Sequence, residues 1–274
     1  MDRIISITGG NTNKFYYFAS NYTKIQATEK KDPINVYSQF YIDKKEERYN
    51  EIKYTLKKNV ENNSIDNIFL LNERQYTTEE LGIESDKIHQ IIIGKRLEYQ
   101  DFFEYSKTHQ GYLVFVNSDI YFDDTIQNLY YSGIDQKKIC YCLCRHEDDG
   151  NLHYDKASFK LANYRQREWG WDLSKLTHGK IIFGTEHSSD TWIIHSNFNK
   201  TIKNMKIPLG VAGCDNRFHF EIIHNGFDPI NEPFFITTHH HHASNIRNYQ
   251  CKNSLNGNYL CMIPNLKPFK QYYQ

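Results

Sequence analysis

Three short clusters in this chain of 274 residues carry side chains that do chemistry. The first is Asn117-Ser118-Asp119, with Asp123 and Asp124 close behind, directly after the apolar run YLVFV. A carboxylate at a strand end can hold Mg²⁺ or Mn²⁺, ions that keep water and phosphate oxygens as their other ligands. Asp119 fits that role, whereas Asp123 and Asp124 fit the first turn of a helix, where acids meet the positive end of the dipole. The second cluster is Gly210-Val211-Ala212-Gly213-Cys214-Asp215-Asn216-Arg217. Its glycines permit close backbone approach, although turns use the same residues, and with a sugar as ligand Asp215 would be the residue to take a hydroxyl proton or to bind sugar hydroxyls. The third is His239-His240-His241-His242, with Arg247 downstream. On a strand His240 and His242 share one face, so an imidazole there can complete a metal site or meet a diphosphate. Ser189-Asp190-Thr191-Trp192 and Trp169-Gly170-Trp171-Asp172 pair aromatic faces with acids. That combination packs on sugar rings, although a core Trp beside a capping Asp uses the same residues.

These clusters need a scaffold, and the chain's patterning supplies one. INVYSQFYI (34–42) reads as a strand of β-branched and aromatic residues. A helix follows from about Lys45 to Glu61, with Tyr49, Ile52, Leu56 and Val60 on one stripe. NIFLLNE (67–73) and HQIIIG (89–94) are short buried strands. A helix is expected after Asp101 as N-cap, then the strand GYLVFVNSD (111–119), a helix over 123–131 and the strand KICYCLCR (138–145). Strands alternating with helices imply an α/β domain with a mostly parallel central sheet, buried on both faces. Ligands of such sheets bind beyond the carboxyl ends of the strands, where Asp119 lies. The second half reads as an irregular C-terminal elaboration with short strands near 180–184, 191–195 and 233–237. The expected division is a lead-in over 1–33, with a turn at Gly9-Gly10-Asn11, a domain over 34–250 and a packed tail over 251–274.

Composition excludes several classes. Lys plus Arg and Asp plus Glu both total 33, for zero net charge, which argues against a nucleic-acid binder and against a polybasic membrane-surface protein. No stretch has the roughly 20 apolar residues of a membrane span, and the start lacks the layout of a signal peptide. Six cysteines do not make a disulfide framework at this length, and Cys140, Cys142 and Cys144, alternating on one strand, are expected as buried thiols. The sequons at Asn21, Asn62 and Asn199 carry little weight in a chain with 26 Asn. Asn, Ile, Lys and Tyr dominate while Ala and Arg number only 6 and 9, a skew that follows AT-rich codons. A cytoplasmic protein is the expectation.

In order along the chain, YSQFYIDKKEERYNEIKYTLKKN (37–59), IDNIFLLNE (65–73), VFVNSDIYFDDTI (114–126), SSDTWIIH (188–195), PLGVAGCDNRFHFEI (208–222) and THHHHASNIRNY (238–249) resemble a family of glycosyltransferases with the Rossmann-like GT-A fold, found in large DNA viruses, phages and bacteria. The resemblance implies a UDP- or GDP-sugar donor and a glycan, protein or small-molecule acceptor. It also implies Mn²⁺ or Mg²⁺ at a D-x-D position and, for a viral source, the host cytoplasm. Here D-x-D reads Asn117-Ser118-Asp119, so Asp119 alone carries over as the acidic metal ligand, with Asn117 and Ser118 lining the donor. Gln39 and Glu73 would lie against the nucleotide. Asp190 and Asp215 match positions facing sugar and acceptor, with Asp215 as the base. His240 or His242 would join the metal, and Asn216, Arg217 and Arg247 would meet substrate, with Arg247 neutralising the diphosphate.

Two alternatives remain. A degenerate member of such a family would bind a sugar or a partner without turnover, a reading that Asn117 favours. His146-Glu147-Asp148 with a downstream His and Arg247 imitates the two-His-one-carboxylate set of non-haem iron 2-oxoglutarate oxygenases, whose β-sandwich-like core differs from the alternation seen here.

Overall fold

The computed structural model describes residues 32–148, 189–242, 244 and 255–264, together with the backbone of two N-terminal strands. Those strands are β1 (Ile4–Ile7) and β2 (Thr12–Phe18), an antiparallel pair inside the expected lead-in. The ordered α/β unit then runs β3 (Ile34–Ser38), α1 (Glu46–Glu61), β4 (Asn67–Asn72), α2 (Thr78–Leu81), β5 (Ile88–Ile92), α3 (Tyr99–Ser106) and β6 (Tyr112–Val116). Next come β7 (Ile120–Phe122), a 3-10 helix (Asp124–Tyr131), β8 (Ile139–Leu143) and β9 (His146–Glu147). After β10 (Thr191–His195) follow a second 3-10 helix (Ser196–Thr201), α4 (Cys214–His224), β11 (Asp228–Ile230), β12 (Thr238–His240) and β13 (Gly257–Ile263).

Seven strands form the central sheet in the order β11-β8-β10-β6-β3-β4-β5. Every neighbouring pair is parallel except the two that β10 makes, with β6 and with β8. The fold is therefore α/β with a mostly parallel central sheet, as the alternation implied. Strands β3 and β6 are buried at every residue, and alternation divides their side chains between two cores. Ile34, Val36, Val114 and Val116 face Ile52 and Leu56 of α1. On the opposite face Tyr37, Leu113 and Phe115 pack with Phe102 and Phe103 of α3 and Phe218 and Ile222 of α4. Cys140 and Cys142 lie in that second core as free thiols, the expected outcome. Asn62 and Asn199 are both buried and donate to the backbone carbonyls of Phe122 and Ser106. Two further three-stranded sheets complete the described structure: β1-β2-β13, and β7-β12-β9.

Several boundaries differ from the patterning, each for a local reason. The strand over 34–42 ends at Ser38, because the Gln39 side chain bonds to the Lys95–Leu97 segment and the Phe40 N–H goes to the Asn72 side chain instead of to the backbone of a neighbouring strand. Helix α3 starts at Tyr99 with Glu98 as N-cap, and Asp101 sits at the third position, accepting the Glu98 N–H at 2.9 Å. The helix over 123–131 is 3-10, capped by Asp123 accepting from the Thr125 N–H. The stretch 233–237 is a turn that buries Phe235 and Ile236, and its strand begins only at Thr238. The strand expected at 180–184, the Trp169–Trp171 loop, the turn at 9–11 and Arg247 lie outside the described residues. Among the described residues, no helix is long and apolar enough to cross a membrane.

Candidate functional site

The site is assembled where β6 gives way to β7. Helix α1 fixes that backbone with three polar side chains at helical spacing. Thr55 Oγ1 donates to the Ser118 carbonyl at 2.6 Å, and Asn62 Nδ2 donates to the Phe122 carbonyl at 3.1 Å. Between them Asn59 donates to the Ile120 carbonyl at 3.0 Å and accepts the Phe122 N–H at 3.1 Å. Held this way, β7 pairs with β12 in the register His240↔Ile120, and β12 pairs with β9 in the register His240↔Glu147. These two pairings bring the Asp119 segment, the histidine run and Glu147 to one place.

There Asp119, His240 and His242 each offer a ligand atom, and those atoms all lie within 4.8 Å of one another. Among the described residues they are the group of acids, histidines and cysteines close enough to share an ion. Asp119 Oδ2 receives Arg48 at 2.7 Å and faces His240 Nε2 at 3.3 Å. Burial alone raises the Asp119 carboxyl, but the hydrogen bonds and charges of His240 and Arg48 outweigh it and hold the group well below the usual carboxylate range. Burial lowers His240, yet Asp119 and Glu147 reverse that and bring it up to about 9. His242 moves down, through burial and then the charge of Arg48. His240 Nδ1 meets Glu147 Oε2 at 2.9 Å, which turns Nε2 toward Asp119, the arrangement that orients metal-binding imidazoles. A carboxylate oxygen and two imidazole nitrogens suit Mn²⁺ better than Mg²⁺, which prefers an all-oxygen shell.

These residues line one side of a cleft of about 560 Å³, a volume typical of small-molecule sites. Gln39, Glu73, Asn117, Ser118 and Asp190 line it too, so eight of the residues expected from sequence converge. Asp190 is held on both oxygens: Asn117 Nδ2 donates to Oδ1 at 2.7 Å, and Arg145 pairs with Oδ2. Arg48, Arg74, Arg96 and Arg145 complete the wall, four of the nine arginines in the chain.

Other expectations are corrected. Asn216 and Arg217 do not line the cleft; Asn216 donates to the Leu260 carbonyl and Arg217 to the Asn258 carbonyl, which fastens α4 to β13. Asp215 does not line it either, and accepts the Ser189 N–H at 3.1 Å from the first turn of α4. Burial, followed by the charge of Asp190, raises its carboxyl to about 7. His146, the first residue of the iron-like cluster, is buried edge-on against Phe234, and Glu147 serves His240.

Sequence reasoning missed all four cleft arginines, and it placed Glu147 in the iron-like cluster and not beside His240. Glu147 becomes visible only through the β9–β12 register. For the arginines their scarcity was the available signal, and it pointed first to Arg217 and Arg247, because those lie inside conspicuous motifs. No family model matches the chain, and no curated protein is found to be significantly similar to it.

Proposed function

We propose that this chain is a metal-assisted glycosyltransferase of GT-A-like architecture that moves a sugar from a UDP- or GDP-sugar to an acceptor hydroxyl. One observation carries the reading. Asp119, His240 and His242 converge at the carboxyl end of a parallel strand, inside a cleft that also gathers four arginines. Glycosyl transfer develops negative charge on the departing diphosphate, and a bound Mn²⁺ would supply the electrostatic stabilisation of that charge.

The chain's own residues would do the rest. Glu147 and Asp119 fix the orientation of His240, and Arg48 holds the Asp119 carboxylate in place. Asp190 faces the cleft as a carboxylate locked by Asn117 and Arg145, suited to orienting sugar hydroxyls more than to carrying a proton away. Asp215 is one residue removed, linked through the Ser189 N–H, and burial and the charge of Asp190 raise its carboxyl to about 7. The acidic nucleotide contact falls to Glu73, which lines the cleft at the end of β4.

The test uses His242→Ala, which leaves the Arg48–Asp119–His240 pairs in place. Wild type should bind UDP or GDP more tightly with Mn²⁺ than with EDTA, and the variant should lose that gain while melting at the same temperature. Equal Mn²⁺ dependence in the two proteins would remove the metal assignment, and with it the transferase reading. A second reading has one observation in its favour: one carboxylate and two imidazoles also form the donor set of non-haem Fe(II) oxygenases. Iron-dependent consumption of 2-oxoglutarate would establish it, and the mostly parallel sheet argues against it.

A further inference from the structure

The four arginines of the cleft are not equivalent. Arg48 is paired with Asp119 and Glu51, Arg74 with Glu80, and Arg145 with Asp190 and Glu147. Arg96 makes no ion pair among the described residues. Its guanidinium is exposed, and one nitrogen donates to the Gly210 carbonyl at 2.9 Å.

The structure nevertheless holds Arg96 in a set position. Gln39, at the end of β3, grips the backbone on both sides of it: Nε2 donates to the Lys95 carbonyl at 3.0 Å, and Oε1 accepts the Leu97 N–H at 3.2 Å. That pairing fixes the orientation of the amide, since one group must accept and the other donate. From the far side the 207–210 segment closes on the same loop, with Leu209 N–H donating to the Leu97 carbonyl at 3.0 Å and a β-bridge joining Glu98 to Pro208. Gly210 has φ +68°, and a Cβ there would stand 2.7 Å from the guanidinium. A side chain at residue 210 would push the end of Arg96 off its present position and would strain the backbone there. Lys95, its neighbour, is turned away and paired with Glu98 and Asp101.

We infer that Arg96 is the phosphate-recognition residue of the cleft, and that Gln39 and Gly210 are its positioning residues. A guanidinium with several N–H groups directed to no carboxylate of the described residues presents the fork that phosphate oxygens accept. Gln39, expected from sequence to touch the nucleotide, instead has both amide atoms engaged in presenting Arg96. The inference rests on reading the cleft as a phosphate site, but neither on a metal nor on sugar transfer. The phosphate can belong to a nucleoside diphosphate or to a sugar phosphate, and both are probed.

UDP, GDP, pyrophosphate and glucose 1-phosphate are titrated against the full chain in EDTA and again in Mn²⁺. Arg96→Met should weaken at least one of these ligands about ten- to a hundredfold in EDTA, the range for losing a charge-assisted hydrogen bond. Arg96→Lys should restore part of that loss. The melting temperature should not move, because Arg96 is exposed. Loss with UDP or GDP alone identifies the donor as the source, and loss with glucose 1-phosphate identifies a sugar phosphate. Gln39→Ala should weaken the same ligand in the wild-type background and have no effect in the Arg96→Met background, which a general loosening of the cleft would not reproduce. Gly210→Ala should weaken the same ligand, but less than Arg96→Met, because the displaced guanidinium keeps its charge in the cleft. If Arg96→Met binds every probe as tightly as wild type, or wild type binds none of them, the assignment is wrong. Binding that depends on Arg96 in EDTA without any gain from Mn²⁺ would uphold it while removing the transferase reading.

Discussion

Asn117 donates from Nδ2 to Asp190 Oδ1 at 2.7 Å, and the opposite oxygen of Asp190 is held by Arg145. The amide at 117 is therefore matched to an acid just before β10, a strand distant in sequence and adjacent to β6 in the sheet. A carboxylate at 117 would face another carboxylate where a donor now sits. Asn117→Asp, which restores the acid–x–acid pattern, should thus destabilise the fold by about 1–3 kcal/mol in urea unfolding at pH 7. The loss should shrink at pH 5, where one of the two carboxyls can keep its proton. It should not tighten Mn²⁺ binding measured by calorimetry. Tighter binding would mean that Asn117 is a forfeited metal ligand and not a partner of Asp190.

At the scale of elements, α1 acts as the template of the site. Its apolar stripe was legible from sequence, because Ile52 and Leu56 repeat at helical spacing and fall in the core beneath β3 and β6. Its second stripe, Thr55, Asn59 and Asn62, was not legible. In a chain rich in Asn, polar residues at that spacing look like a solvated face, and only the contact between α1 and β7 gives them partners. The same limit explains why Asp119, at the end of an unmistakable strand, could be singled out, whereas Arg48 could not and Glu147 was read into a different cluster. Periodicity reports which face is buried, but not which polar groups meet across 71 or 93 residues of chain. Asn59 shows what that second stripe is worth. Its side chain both donates to the Ile120 carbonyl and accepts the Phe122 N–H, so Asn59→Ala leaves two backbone groups of β7 without their partner. The variant should lose about 2–4 kcal/mol in urea unfolding, whereas Asn50→Ala, on the exposed side of α1, should stay within about 0.5 kcal/mol. Because β7 directly follows Asp119, Mn²⁺ affinity should fall in the first variant and hold in the second.

For the whole molecule, zero net charge means that neither uniform repulsion nor uniform attraction dominates stability near neutrality, so single buried groups set its pH dependence. Two opposing kinds are present. His146 and His219 are both held down to about 4 by burial, so between about pH 6.5 and 4 the unfolded chain takes up protons that the folded chain refuses. Their contribution raises stability with pH across that window. Asp215 does the reverse. Burial and the nearby Asp190 raise its carboxyl from 3.8 to about 7, so in between the folded chain keeps a proton that the unfolded chain has released. Its contribution lowers stability as pH rises through that window, is absent below about pH 4 and is complete above about pH 7. Asp215→Asn keeps an oxygen to accept the Ser189 N–H and removes the ionisation. The variant should therefore match wild type in urea unfolding at pH 4 and exceed it by about 1–3 kcal/mol at pH 8, after allowance for solvent screening. The histidine contribution is common to both proteins and cancels in the difference, so the rise between pH 4 and 8 isolates Asp215. A difference that stayed flat, or grew toward low pH, would place an ionised carboxylate at 215 throughout and would overturn the raised carboxyl.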